Sequence, residues 1–206
     1  MDRLISRIST DGGDGAARAR VAALLLLTLR GTPFIYYGEE IGMTNVAVPE
    51  AEAQDPARFR SIGRDPERTP MPWDGTLGRG FTRGTPWLPF GDSAVHVAAQ
   101  TADPASLLAL YRRLLRLGKG SDALRFGSYR PLDRTPDAVY AYVRESPAER
   151  LLIVLNFSAE PQKLTLPSEI APAALLLSTA PERAGAARWR GRVTLAGNEG
   201  LIVALA

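Results

Sequence analysis

The sequence predicts a chain of mixed class, α/β in its first part and all-β in its second, with the change near Ser121. Two observations carry this. From residue 16 to residue 37 a helix-forming stretch, a tight turn and a short apolar segment follow one another, and an amphipathic helix closes near residue 117; helix, turn and apolar strand form the repeating unit of α/β folds. After residue 124 that pattern gives way to short apolar segments punctuated by Pro, Gly, Asn and Asp, as in an antiparallel sandwich. The length, 206 residues, suits one or two domains.

Residues 9–15 (STDGGDG) have the composition of a loop, and Asp14 is placed to cap the helix after it. Residues 16–30 (AARARVAALLLLTLR) are strong helix formers, apolar on all sides from Val21 onward, so the second half of this helix is expected to be buried. Gly31 sits where a helix ends in a left-handed residue. Residues 32–37 (TPFIYY) are β-branched and aromatic, and predict a buried parallel strand.

From 43 to 103 no helical period survives, and prolines fall at 49, 56, 66, 70, 72, 86 and 89. A loop of such length is either functional or disordered. Trp73, Phe81, Trp87 and Phe90 argue for an ordered loop packed by its aromatics, because disordered segments are poor in them. Asp103-Pro104 has the form of a helix start, followed by Leu107, Leu108, Leu110, Tyr111, Leu114, Leu115 and Leu117 at helical spacing, with Arg112, Arg113 and Arg116 opposite and an end at Gly118 or Gly120. Strands are expected at 127–131, 138–144, 150–157, 162–166, 174–178, 192–196 and 201–205, with a mobile loop at 180–187. Their short connections require antiparallel pairing, since parallel strands need crossovers of a dozen or more residues.

Composition narrows the chemistry. Hydrophobic residues make up 45% and charged residues 23% of the chain, so it carries enough apolar surface for a core. The net charge of +3 comes from scattered arginines without a dense basic block, which argues against nucleic-acid binding. The absence of cysteine excludes disulfides, thiolate metal sites and a cysteine nucleophile, and one histidine, His96, excludes a poly-histidine zinc site. No metal and no cofactor are expected. The longest apolar run, 21–27, is far shorter than a membrane span, and residues 1–7 are too polar for a signal peptide. The expectation is a cytoplasmic protein that meets neither membrane nor nucleic acid.

Three stretches are informative together: 30–43 (RGTPFIYYGEEIGM), 63–74 (GRDPERTPMPWD) with 80–89 (GFTRGTPWLP), and 97–108 (VAAQTADPASLL). In this order they resemble the α-amylase superfamily of glycoside hydrolases, and within it the α-glucosidases and oligo-1,6-glucosidases. The resemblance covers most of residues 3–118, with a looser likeness to the family's small sandwich beyond. It implies that residues 1–120 are the C-terminal end of a (β/α)8 barrel: 16–30 its seventh helix, 32–37 its eighth strand, 43–103 the long loop at the active-site face and 103–117 its eighth helix. Residues 121–206 would be the C-terminal antiparallel β-sandwich. A complete barrel takes about 250 residues, so only its last piece is expected here.

The resemblance also implies a chemistry. Retaining glycoside hydrolysis uses a carboxylate nucleophile and a carboxylic acid about 5–5.5 Å apart. In this family both come from the fourth and fifth strands, upstream of the matching stretch. A third carboxylate, the Asp of an Asn-His-Asp motif, follows the seventh strand. Aligning Arg3-Leu4 with the family's Arg-Leu places that Asp just before Met1, so no catalytic residue is expected in this chain. A register with a two-residue deletion would instead equate Asp2 with it.

Arg64, Arg68 and Trp73 are the expected substrate-binding residues. Arg64 matches the Arg of the family's Gly-Arg-Asp, which reaches the sugar in many members, and its fork of donors suits hydroxyls and carboxylates. The other reading is a loop-fixing salt bridge to Asp65 or Glu67. For Arg68 the alternative is loop packing. Trp73 and Trp87 offer flat platforms for a pyranose face, or lie buried under the loop. Pro72 replaces the family's Gln. Glu39 and Glu40 are adjacent, and on a strand end they would point to opposite faces, so a shared acid/base role is set aside; Glu40 is expected in a structural hydrogen bond and His96, where the family has Asn, in a structural role.

The function implied is the C-terminal portion of a retaining α-glucosidase acting on α-linked gluco-oligosaccharides, inactive alone, with a companion chain supplying the rest of the barrel as an expected partner. The alternatives are a non-catalytic structural or interaction module of the same fold, and a trehalose synthase-like glucosyl transferase or isomerase.

Overall fold

The computed structural model describes residues 2–9, 14–59, 63–183 and 191–206. They divide into two units: Met1–Ala16 with Ile35–Tyr111, and Ala17–Phe34 with Arg112–Ala206. Of the loop expected at 9–15, residues 10–13 lie outside the described residues, as do 184–187 of the loop expected at 180–187.

In the second unit all seven expected strands form: β1 (Ser128–Pro131), β2 (Val139–Ser146), β3 (Glu149–Asn156), β4 (Gln162–Thr165), β5 (Pro172–Ser178), β6 (Arg192–Leu195) and β7 (Gly200–Leu205). Five make one sheet in the order β1-β2-β3-β7-β5, and β4 pairs with β6. Every pairing is antiparallel. The alternation of side chains along each strand explains both faces of the large sheet. Leu152 and Val154 of β3 join Ala141 and Val143 of β2, Val203 of β7, Leu164 of β4 and Val193 and Leu195 of β6 in one core, so the small sheet covers that face.

Leu151, Ile153 and Leu155 point the other way and are equally buried. There α2 (Gly15–Thr28) lies close. A Cβ added at Gly200 would come 3.0 Å from Leu155 and 3.2 Å from Leu24, so glycine permits the close approach. Thr28 Oγ1 donates to Leu24 O at 2.6 Å, which leaves Tyr142 as the donor in its 2.6 Å bond to Thr28. Burial pushes the Tyr142 phenol well above its ordinary range. From Val21 onward the helix is apolar on all sides, yet its buried residues are Ala19, Val21, Ala23, Leu24 and Thr28, while Leu25, Leu26 and Leu27 are half-buried.

Three buried polar side chains of this unit are tied into the backbone. Asn156 donates from Nδ2 to Glu160 O and Ala196 O, both at 2.8 Å, and accepts from Ser158 N and Oγ. Glu199 accepts from Arg183 Nε at 2.6 Å, Ser178 Oγ at 2.8 Å and Ala196 N at 2.8 Å. Ser121 caps α5 (Asp122–Phe126) by accepting from Leu124 N.

The first unit departs from expectation in four places. The strand expected at 32–37 does not form: a strand exists through its ladder, and no described residue pairs with this segment. Nor is it buried. Phe34, in the second unit, is 84% exposed, and Ile35, Tyr36 and Tyr37 are 38–40% exposed. The 43–103 segment contains the helix α3 (Val97–Ala102), as well as 3₁₀ turns at Glu50–Glu52, Pro56–Phe59 and Asp65–Glu67. The long helix α4 is Leu107–Gly120, starting four residues after Asp103. Asp103 Oδ1 holds Ala105 N in a local turn, and Ser106 Oγ is what accepts from Ala109 N in the first turn of α4.

The aromatics, finally, pack the loop only in part: Phe90 is half-buried and meets Phe81 edge-on at 6.3 Å. Trp73, Phe81 and Trp87 are 51%, 47% and 69% exposed. Ile41, Met43, Met71 and Leu108 form the local core, with Val95 and Val97 against it. Gln100 bridges the pieces: its Nε2 donates to Ile41 O at 2.6 Å and its Oε1 accepts from Leu108 N.

His96 has a structural role, as expected. It is the N-cap of α3, and its Nδ1 accepts from Ala99 N at 3.1 Å. Asn provides the same acceptor, so His96→Asn should leave the melting temperature unchanged, while His96→Ala should cost about 1 kcal/mol in chemical denaturation. Among the described residues no helix is long and apolar enough to cross a membrane.

Candidate functional site

The first unit holds a cleft of about 290 Å³ lined by Asp2, Arg3, Leu4, Tyr36, Glu39, Arg64 and Arg68 among others. Its back wall is built around Arg3, which precedes α1 (Leu4–Ile8) and is 2% exposed. The Arg3 backbone N–H donates to Asn45 Oδ1 at 2.9 Å, and its Nη1 donates to Tyr37 O at 2.6 Å. The guanidinium carbon lies 5.2 Å and 4.7 Å from the Tyr36 and Tyr37 ring centroids, within cation–π range. The rings thus cover Nε and Nη2, which have no hydrogen-bond partner among the described residues. Asn45 also ties Asp2 through Nδ2···Oδ1 at 2.7 Å.

The two tyrosines hold the next segment. Tyr37 Oη donates to Thr69 O at 2.9 Å, and Tyr36 Oη to Glu67 O at 3.3 Å. Glu39 stands on a 3₁₀ turn, Glu39–Ile41, not on a strand end. It accepts from Tyr36 N at 3.2 Å, and burial pushes its carboxyl up against the opposing pull of that N–H and of Arg3. Of the Glu40 carboxylate, Oε2 is buried without a partner among the described residues.

Arg64 is held by a carboxylate, but not by Asp65 or Glu67. Its Nε lies 2.7 Å from Asp55 Oδ2 and its Nη2 3.0 Å from Asp55 Oδ1. Asp65 faces elsewhere and accepts from Gln54 N at 2.6 Å and Asp55 N at 2.8 Å. The physical reason is the 3₁₀ turn beginning at Asp65: the residue just after Arg64 is spent on backbone N–H groups of the preceding segment. The Arg64 side chain remains 52% exposed.

Of the expected substrate-binding residues, the cleft brings together Arg64 and Arg68, with Asp2 beside them. Trp73 is not among its lining residues. It sits on a separate turn, where Trp73 N donates to Arg79 O at 2.8 Å. That turn needs Gly80, whose φ is +63° and where a Cβ would fall 2.8 Å from Asp74 Oδ2. Neither Trp73 nor Trp87 is buried. The reading of the sequence missed Asp55, Arg3 and Tyr36. The available signal for Asp55 was Asp55-Pro56, the same dipeptide as Asp103-Pro104.

The cleft thus offers guanidinium donors, carboxylate acceptors and a tyrosine ring on one wall, the chemistry of a polyhydroxylated ligand. The alpha-amylase description "Alpha amylase, catalytic domain" matches residues 1–127, and "Alpha-amylase SusG C-terminal domain" matches 139–200. The chain belongs to the α-amylase family. Among its relatives, it is 34% identical over 192 residues to the oligo-1,6-glucosidase of Parageobacillus thermoglucosidasius, covering 82% of this chain and 34% of that protein. With the trehalose-6-phosphate hydrolase of Bacillus subtilis it shares 31% over 193 residues, again 82% and 34%. The crystal structure of the trehalulose synthase MutB from Pseudomonas mesoacidophila MX-45 superimposes with a TM-score of 0.87 at 31% identity, covering 100% of this chain and 41% of that one. The chain spans about a third of the length of the curated relatives it matches.

Proposed function

We propose that this chain is the C-terminal portion of a retaining α-glucosidase acting on α-linked gluco-oligosaccharides, and that its part in the reaction is to hold the sugar rather than to cleave it. The observation that carries this is the cleft in which Arg64, anchored by Asp55, stands with Arg68, Glu39 and Tyr36. Hydroxyl groups of a pyranose match such mixed donors and acceptors. Residues 1–120 act as the end of the barrel and 121–206 as its sandwich cap. The exposed apolar segment ending in Phe34 fits docking to the remaining barrel, supplied by upstream polypeptide or a companion chain.

The test is a chimera in which the matching last third of the Parageobacillus thermoglucosidasius oligo-1,6-glucosidase is replaced by residues 2–206. It should release p-nitrophenol from p-nitrophenyl α-D-glucopyranoside. Arg64→Ala in that chimera should lower kcat/KM about tenfold or more, the size expected for losing a charge-assisted hydrogen bond. A folded chimera without activity would favour the non-catalytic module. The structural likeness to a trehalulose synthase favours one second reading, a glucosyl-transferring isomerase. Incubating the active chimera with sucrose separates the two: glucose release marks the hydrolase and an isomeric disaccharide the isomerase.

A further inference from the structure

We propose that Asp55 is the positioning residue that fixes the guanidinium of Arg64 and leaves its Nη1 group turned to the cleft. Asp55 is 3% exposed, and its carboxylate is fully used. Its Oδ2 takes Arg64 Nε at 2.7 Å and Arg64 N at 2.8 Å; its Oδ1 takes Arg64 Nη2 and Ala57 N, both at 3.0 Å. Two carboxylate oxygens offer about four acceptor positions, so Asp55 is saturated. It has no lone pair left for a hydroxyl or for a proton in transit, which excludes it as a direct sugar ligand or as a base.

What Asp55 holds is equally specific. Arg64 is gripped by backbone and fork together, with Nη1 the end nitrogen that has no partner among the described residues. A loose arginine would give up rotamer freedom on meeting a ligand; a bidentate partner removes that cost beforehand. Asp55 is itself placed by Asp65, which accepts from Gln54 N and Asp55 N. The two carboxylates thus exchange holds: each end of the 54–65 segment carries the acid that binds the other. Hydrogen bonds from the Arg64 side chain and from Ala57 and Arg64 N–H keep the Asp55 carboxyl far below the usual carboxylate range, so the pair survives mild acid. The significance for catalysis rests on the reading of Arg64 as a sugar contact.

The experiment is nuclear magnetic resonance on the full chain, with the Arg64 Nε–H signal assigned by its loss in Arg64→Lys. In the wild type that group should be as rigid as the backbone, with an order parameter of about 0.85, and should shift on titration with methyl α-D-glucopyranoside. In Asp55→Asn it should move to the position of a solvent-exposed arginine, and the sugar's Kd should rise about tenfold. A wild-type order parameter below about 0.6 overturns the proposal whether or not Asp55→Asn folds. An unchanged Nε–H signal and Kd in a folded Asp55→Asn variant also overturn it. If the signal is released in Asp55→Asn but the wild type ignores the sugar, Asp55 stands as the positioning residue and the sugar-holding reading of Arg64 fails instead.

Discussion

Arg144→Met is expected to lower the stability of the β-rich unit by about 3 kcal/mol or more, the range of changes that strand buried polar groups. Arg144 is 1% exposed, on β2 in the middle of an apolar sheet. No ion pair reaches it among the described residues. Instead its Nη1 donates to Thr28 O at 2.7 Å, its Nη2 to Leu124 O at 3.0 Å and Gly127 O at 3.2 Å, and its Nε to Ser128 O at 3.1 Å. Thr28 ends α2, and Leu124 lies in the last turn of α5. Terminal helix carbonyls have no intrahelical donor and favour a cation.

One guanidinium therefore satisfies two helix ends and the start of β1. Burial pulls its pKa down, but a guanidinium is not deprotonated in proteins, so the charge is kept. Methionine fills much of the volume but strands these acceptors, each costing about 1–3 kcal/mol if left unmade. Arg144→Lys should also fail, because a single ammonium cannot span the same fork. Thermal unfolding followed by circular dichroism tests both variants. A midpoint for Arg144→Met within about 2 °C of wild type would sink the account.

The sequence announced Arg144 only as a charge inside VYAYVRES, and the seven strands around it much more clearly. Those strands were placed to within two residues because alternation and turn residues are local signals. Residues 32–37 show the limit of local signals. Their β-branched and aromatic composition reports what suits a pleated surface, but a ladder partner is not written in the segment itself. Trp73 and Trp87 failed similarly: large aromatics favour burial on average, and nothing local shows which face of a loop turns outward.

The candidate site was half legible. Arg64 and Arg68 stand out in GRDPERTP, and the cleft does hold both. Their neighbours were invisible for a geometric reason. The pairing of Asp55 with Arg64 spans nine residues of irregular chain, where no period relates the two side chains. Arg3 belongs to the cleft through contacts to Tyr37 and Asn45, more than thirty residues away. Helical or strand spacing predicts neighbours; a loop that folds back on itself does not.

The 206-residue chain on its own is expected to release no p-nitrophenol from p-nitrophenyl α-D-glucopyranoside above background. Cleavage with retention needs a carboxylate and a carboxylic acid about 5–5.5 Å apart on opposite sides of the scissile bond. The resemblance places both on strands upstream of the stretch matched here. Of the three acids lining the cleft, Glu39 holds Tyr36 N, Asp2 is tied to Asn45, and Glu67 is buried at the end of the Asp65–Glu67 turn. Asp55 and Asp65 are committed to Arg64 and to the backbone of 54–55. A group displaced by about 1 Å from its working position can lose about a hundredfold in rate, so an acid recruited by chance would not reach enzymatic turnover. Among the described carboxyls, Glu39 is the one that burial pushes upward, which makes Glu39→Gln the informative control beside Arg64→Ala. Turnover near one per second, an ordinary enzymatic rate, that copurifies with the chain and falls in either variant would refute the expectation and make Asp2 and Glu39 the catalytic pair to examine. Background rates from all three proteins, with activity appearing in the chimera, would assign this chain the work of holding the sugar and leave the bond-breaking carboxylates to the rest of the barrel.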